Sequence, residues 1–267
     1  MRRAFSAALL ALCAAAVGLV FAHDTWMASE GGTVSPGTVL TLDMTSGMSF
    51  PALDHAIDPE RVGHAFYRLA GKTSEIGQRQ KGEKSLRLTV PLDTAGIATV
   101  WVDLKPKMIE LKPQEVEEYL DEIDVAETIR KAWRDSGDQR RWRELYTKHS
   151  KTFVRVGETN DRSWGEPAGK ALEFVPESDP TALWVGDELS VRVMKNGAPL
   201  PGFSVGIVHA GDPRDIKRST DADGRVVVRL DRAGLWLLRC TEVRRSLTTA
   251  ADWESDFTTM TIEVRPR

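Results

Sequence analysis

Apolar and polar positions alternate strictly from 86 to 92: Leu86, Leu88, Val90 and Leu92 fall on one side, Arg87, Thr89 and Pro91 on the other. A period of two is that of a half-buried β-strand. Ala98, Val100, Val102 and Leu104 repeat the pattern. It returns later in Leu189, Val191 and Val193, in Val226, Val228 and Leu230, and in Met260, Ile262 and Val264. Asn196-Gly197 and Asp223-Gly224 sit between apolar runs, where a tight hairpin needs residues at positive φ. Short strands at this spacing predict a mainly β protein made of β-sandwiches.

Two passages echo each other. Gly37-Thr38-Val39-Leu40-Thr41-Leu42-Asp43-Met44 parallels Gly186-Asp187-Glu188-Leu189-Ser190-Val191-Arg192-Val193, and Leu92-Asp93-Thr94-Ala95-Gly96-Ile97 parallels Leu230-Asp231-Arg232-Ala233-Gly234-Leu235. Their order is preserved, which predicts a duplicated module: one sandwich over residues 23–165 and a second over 166–267. In each, the Leu-Asp-x-Ala-Gly element should be a strand end turning into the next strand.

The pattern changes between them. From Pro113, a good first helical residue, Val116, Tyr119, Leu120 and Ile123 follow helical spacing, and after Gly137 so do Trp142, Leu145, Tyr146 and His149. This predicts a helical hairpin over 113–150, with Val116, Leu120, Ile123, Trp142 and Leu145 turned inward. Residues 114–127 carry seven acids and no base, and residues 128–149 seven bases against three acids. Antiparallel packing would pair these charges, and the run reads as a solvated, mutually compensating surface rather than a cation-collecting face.

The N-terminus adds a cellular address. Arg2 and Arg3, the apolar stretch Ala4 to Val20 and the small-x-small Val20-Phe21-Ala22 read as a secretory signal over residues 1–22, cleaved before His23. The expected location is the periplasm; an uncleaved anchor is the alternative, since Ala4 to Ala22 is long enough to span a bilayer. Losing Arg2 and Arg3 takes the formal charge from −3 to −5, which offers no footprint for nucleic acid or an anionic membrane. With Cys13 in the leader, Cys240 is the one mature thiol. It alternates in phase with Trp236 and Leu238 and reads as buried and inert.

No phosphate-binding glycine loop, Gly-x-Ser-x-Gly elbow, His-Glu-x-x-His or Cys-x-x-Cys occurs, so no catalytic residues are assigned and the chain reads as a non-enzyme. Chemistry rests on five histidines. Cleavage before His23 would set a free α-amine beside its imidazole, and this nitrogen pair chelates borderline divalent ions such as nickel and copper. The other expectation for it is a loose chain end. His55 lies in the polar loop Leu53-Asp54-His55-Ala56-Ile57-Asp58, where Asp54 is either a ligand or an orienter of the imidazole, or else a plain turn residue. His64, near Arg61 and Phe66, reads first as structural but is close enough in sequence to complete a site. His149, on an apolar stripe, is expected in the core with a backbone partner, and His209 at a sandwich rim. Met44 continues a core face, while Met27 and Met48 add soft thioethers to the region. Thr220-Asp221-Ala222-Asp223-Gly224 reads as a hairpin turn rather than a calcium loop, because later acidic ligands are missing.

His23-Asp24-Thr25-Trp26-Met27, Pro106-Lys107-Met108-Ile109-Glu110-Leu111, Tyr119-Leu120-Asp121-Glu122, Tyr146-Thr147-Lys148-His149-Ser150-Lys151-Thr152 and Asp252-Trp253-Glu254-Ser255-Asp256-Phe257 together resemble an exported bacterial domain-of-unknown-function family (4198). Its members are described as periplasmic components of nickel or cobalt uptake. The resemblance spans nearly the whole mature chain and implies paired sandwiches, the second immunoglobulin- or transthyretin-like. The family's His-Asp-aromatic-Trp start falls on His23, Asp24, Thr25 and Trp26, with Thr25 departing from the aromatic.

The sequence therefore predicts two β-sandwich domains with a helical hairpin between them. Its expected function is that of a periplasmic accessory protein which takes a divalent transition metal (nickel or cobalt, with copper as a further candidate) at His23, His55, Asp54 and His64. The metal would pass to a membrane importer, with no nucleic-acid partner and no membrane insertion after cleavage. Two rivals stand beside it: a non-enzymatic interaction module for a protein or glycan, and a copper-dependent oxidative enzyme using the N-terminal histidine.

Overall fold

The computed structural model describes residues 23–29, 31–137, 140–212 and 214–267; the leader read at 1–22 lies outside them. In chain order the main elements are β1 (Asp24–Ser29), β2 (Thr38–Gly47), β3 (Val62–Leu69), β4 (Lys72–Glu75), β5 (Leu86–Leu92), β6 (Gly96–Leu104), β7 (Lys107–Leu111), α1 (Pro113–Glu122), α2 (Glu127–Arg134) and β8 (Trp142–Val156). They continue with β9 (Leu172–Pro176), β10 (Glu188–Lys195), β11 (Ser204–His209), β12 (Ile216–Ser219), β13 (Arg225–Arg229), β14 (Gly234–Arg245) and β15 (Trp253–Val264). The protein is mainly β, as the alternation predicts.

The repeated sequences occupy the same place in their sheets. Leu40 of β2 pairs with Val90 of β5, and Leu189 of β10 pairs with Val228 of β13. Gly37 N–H donates to Leu92 O at 2.7 Å, and Gly186 N–H donates to Leu230 O at 2.7 Å. Each Leu-Asp-x-Ala-Gly then carries the chain out of its small sheet into β6 or β14 of a large one.

That large sheet joins the halves. Its order is β12-β11-β14-β15-β8-β6-β3-β4, which is palindromic: β8 and β15, each the last strand of its half, lie side by side in parallel from Glu144↔Trp253 to Thr152↔Thr261. Equivalent strands running parallel at the centre place the halves on opposite faces. One core gathers Leu40, Leu42 and Leu88 from the first small sheet with Ala98, Val100 and Val154. The other gathers Leu189, Val191 and Val226 with Leu238, Met260 and Ile262. Ile97 and Phe153, on the reverse of β6 and β8, belong to the second core, and Leu237, on the reverse of β14, packs on Trp26 and Phe50. All nine residues of β6 are consequently buried.

The predicted hairpin is corrected in its second half. α1 and α2 are helical and pair as their charges require, through Arg134 to Glu117 at 3.3 Å and Arg130 to Asp121, but residues 142–156 form the longest strand among the described residues. Trp142, Leu145, Tyr146 and His149 mimic a helical stripe because β8 is covered on both faces, so either parity can be apolar. Val116, Leu120, Ile123 and Trp142 are buried; Leu145, on the other face from Trp142, is half-buried.

Candidate metal centre at the N-terminal strand

Register brings two of the predicted ligands together. β1 lies along β2 with Thr25 opposite Ser46. Beyond Met44, where β5 ends, the short strand His55–Ala56 takes the other edge of β2 with His55 opposite Ser46. Directly opposed residues share a sheet face, as do residues two apart on one strand. Thr25 Oγ1 lies 3.1 Å from Ser46 Oγ accordingly. His23, two residues before Thr25, comes to the face of His55, and the rings meet edge to face with centroids 5.5 Å apart.

The surroundings suit a neutral nitrogen donor. Burial lowers the His23 imidazole below its ordinary pKa, helped by Lys148 and His55 and opposed by Asp54 and Asp24. A lone pair is therefore free at neutral pH, the form a metal takes. His55 is open, with 64% of its side chain exposed, and Asp54 Oδ1 stands 3.7 Å from its Nδ1, beyond hydrogen-bond reach. Among the described residues no three His, Cys, Asp or Glu side chains could hold a metal ion together. Cleavage before His23 would add its α-amine as a third nitrogen beside the two imidazoles, with Asp54 nearby as a charge.

His64 does not join them. It opposes Asp103, and Asp103 takes a 2.8 Å hydrogen bond from His149, which places His64 on that face of the large sheet. Lys148, next to His149 on β8 and so on the opposite face, is the residue that reaches His23. The sheet itself separates His64 from the pair, and His64 lies against Phe66 instead, with ring centroids 6.1 Å apart.

His149 is buried as expected, but its partners are carboxylates rather than backbone: Asp103 at 2.8 Å and Asp256 at 3.3 Å. Burial opposes its charge, yet the two hydrogen bonds raise its pKa. Lys170, Lys195 and Arg244 complete a network across both halves. His209 sits at the rim, its Nε2 2.9 Å from Ala233 O. Cys240 is buried, which pushes its thiol far up. Asp221 Oδ1 accepts from the N–H groups of Asp223 and Arg225, a turn and not a calcium loop.

The sequence reading missed the residues that hold β1. The Lys148 ammonium donates to His23 O, and Thr259 Oγ1 donates to Thr25 O. Arg239 bridges Asp24 at 2.6 Å and Asp215 at 2.7 Å. Lys148 and Thr259 alternate in strands, a signal that assigning 142–149 to a helix conceals.

The chain matches the family described as a domain of unknown function, DUF4198, over residues 20–243. It belongs to this family. No curated protein matches it. Solved structures that resemble it include the D0-D1 domain of intimin (11% identity, 91% of this chain and 97% of that one, TM-score 0.22). A Salmonella alpha-2-macroglobulin mutant (14%, 90% and 15%, TM-score 0.23) and murine CEACAM1b (8%, 91% and 100%, TM-score 0.21) do so as well. Among the described residues of this DUF4198 protein no helix is long and apolar enough to cross a membrane.

Lys148 also sets a pH dependence. Burial pulls its ammonium down from 10.5 to about 8, so between those values the unfolded chain binds a proton that the folded chain has shed. Stability from this group is therefore expected to rise with pH from about 8 toward 10.5 and to be flat below 8. Urea unfolding at pH 7.5 and 9.5 checks this: the rise should be smaller in K148M than in the parent.

Proposed function

We propose that this protein is a periplasmic metal-binding accessory protein that captures a divalent transition metal and passes it to a membrane importer. The observation that carries the proposal is the meeting of the His23 and His55 rings at 5.5 Å at the residue a signal peptidase would leave first. Cleavage before His23 adds an amine to two imidazoles. An all-nitrogen set suits copper or nickel over cobalt by the Irving–Williams order, while family resemblance supports nickel or cobalt as the cargo. A plain interaction module has no need of this pairing. The exposed side of His55 also meets the geometric requirement of the copper-dependent oxidative reading, an open-sided pair of imidazoles.

Calorimetric titration of Ni²⁺ and Cu²⁺ tests the proposal. Protein beginning at His23 is expected to bind about tenfold or more tightly than protein carrying one extra N-terminal residue, whose α-amine stands one residue away from the His23 imidazole. H55A should weaken binding further, and H64A and H209A should leave it unchanged. Equal affinity for the two N-termini would move support to the interaction module. Turnover of dioxygen or peroxide by the copper-loaded protein would favour the enzyme.

A further inference from the structure

Three successive carbonyl oxygens at the start of β1, from His23 just before it to Thr25, are each held by a side chain of another strand. His23 O accepts from Lys148 Nζ, Asp24 O from Ser46 Oγ at 3.1 Å, and Thr25 O from Thr259 Oγ1. In a strand alternate carbonyls point the same way. Those of His23 and Thr25 both find donors on the large sheet, and the spacing explains how. Thr259 lies beside Ser150 in the parallel β8–β15 pair, and its hydroxyl is 3.1 Å from Ser150 Oγ. Lys148 stands two residues before Ser150 on the same face. Two residues of β8 and two residues of β1 both rise about 6.6 Å, so the pair of donors matches the pair of carbonyls.

This arrangement does more than bury an edge. β1 is the outer strand of the first small sheet, and a chain terminus in such a place ordinarily frays. A fixed His23 carbonyl fixes the peptide plane and with it the position of the His23 Cα, from which both the α-amine and the imidazole project. The Lys148 ammonium also lies 5.7 Å from the ring centroids of both Tyr146 and Phe257.

We infer that Lys148 is a positioning residue for metal capture: through its hydrogen bond to His23 O, and with Thr259 one step along the strand, it holds the His23 donors against His55 without touching the ion. The inference rests on the metal reading above. Ligand-orienting partners of this kind change metal affinity by about 10–100-fold when removed.

The test uses protein with the native His23 terminus, as the parent, K148M and T259V, with the one-residue extension as a control. Cu²⁺ affinity, Cu²⁺ electron paramagnetic resonance and thermal unfolding are measured on each. K148M is expected to stay folded, to lose about tenfold or more in affinity, and to give a broadened spectrum from several copper geometries. T259V should shift both in the same direction by less. Parent and K148M with equal affinity and superimposable spectra would overturn the inference while leaving the metal site standing. A parent that binds no better than its extended form would remove the site itself, and the inference with it. Should K148M not fold, T259V decides alone, and parental affinity and spectrum in T259V would overturn the inference.

Discussion

Replacing Lys151 by methionine is expected to destabilise the protein by about 3–5 kcal/mol, the range for stripping one partner from a buried ion pair. Lys151 is 4% exposed and Glu173 1%, and the ammonium lies 2.7 Å from Glu173 Oε2 and 2.7 Å from Phe174 O. Burial works against the Glu173 carboxylate, but Lys151 and the N–H groups of Ala168 and Lys170 hold its pKa below the usual range. Without Lys151 a charge remains inside with backbone donors alone. Joint replacement of Lys151 by methionine and Glu173 by leucine should recover part of the loss, because no ion is then left buried. Urea unfolding of the single and double variants measures this. A single variant within 1 kcal/mol of the parent would mean that the pair contributes nothing.

The second large effect is expected at Glu144, which is wholly buried. Its carboxylate accepts from Tyr119 Oη at 2.8 Å, Trp142 Nε1 at 2.6 Å and Ser255 Oγ. Its donor Trp142 stacks on Trp253, the residue opposite Glu144, with ring centroids 4.5 Å apart. Glu144→Ala strands these donors, and each unsatisfied group costs about 1–3 kcal/mol, so a total loss of at least about 3 kcal/mol is expected. Glu144→Gln keeps acceptor capacity and should cost less than the alanine. Thermal unfolding by circular dichroism ranks the two variants. A glutamine variant as unstable as the alanine would show that the charge, not the acceptor, holds the cluster.

Much of this architecture was legible. Leu86, Leu88, Val90 and Leu92 are all 0% exposed because β5 has one face to water, the condition under which alternation reports burial. The duplicated Leu-Asp-x-Ala-Gly elements showed where each half leaves one sheet for the other. What the pattern hid lies where that condition fails. In β6 the even residues advertised a core, whereas Ile97, Thr99, Trp101 and Asp103 between them are buried against the other half. In β8 coverage of both faces erased the period altogether and left a false helical stripe.

The site was legible only in its chemistry. His23 and His55 could be chosen by donor type, and their meeting follows from the Thr25, Ser46 and His55 register. His64 has the same chemistry, and no local signal placed it across a sheet. Lys148 looked like one base in a charged run. Only the hydrogen bond to His23 O, between residues 125 apart, reveals it as a donor to that strand.

Cu²⁺ electron paramagnetic resonance of protein with its native His23 terminus, beside the same protein extended by one residue, tests the central claim most directly. The mature form should show nitrogen hyperfine structure from the amine and both imidazoles, and extension, which turns the His23 amine into a peptide nitrogen, should change that pattern and release copper at lower chelator concentration. Identical spectra and identical release from the two forms would contradict a metal centre at the N-terminal strand.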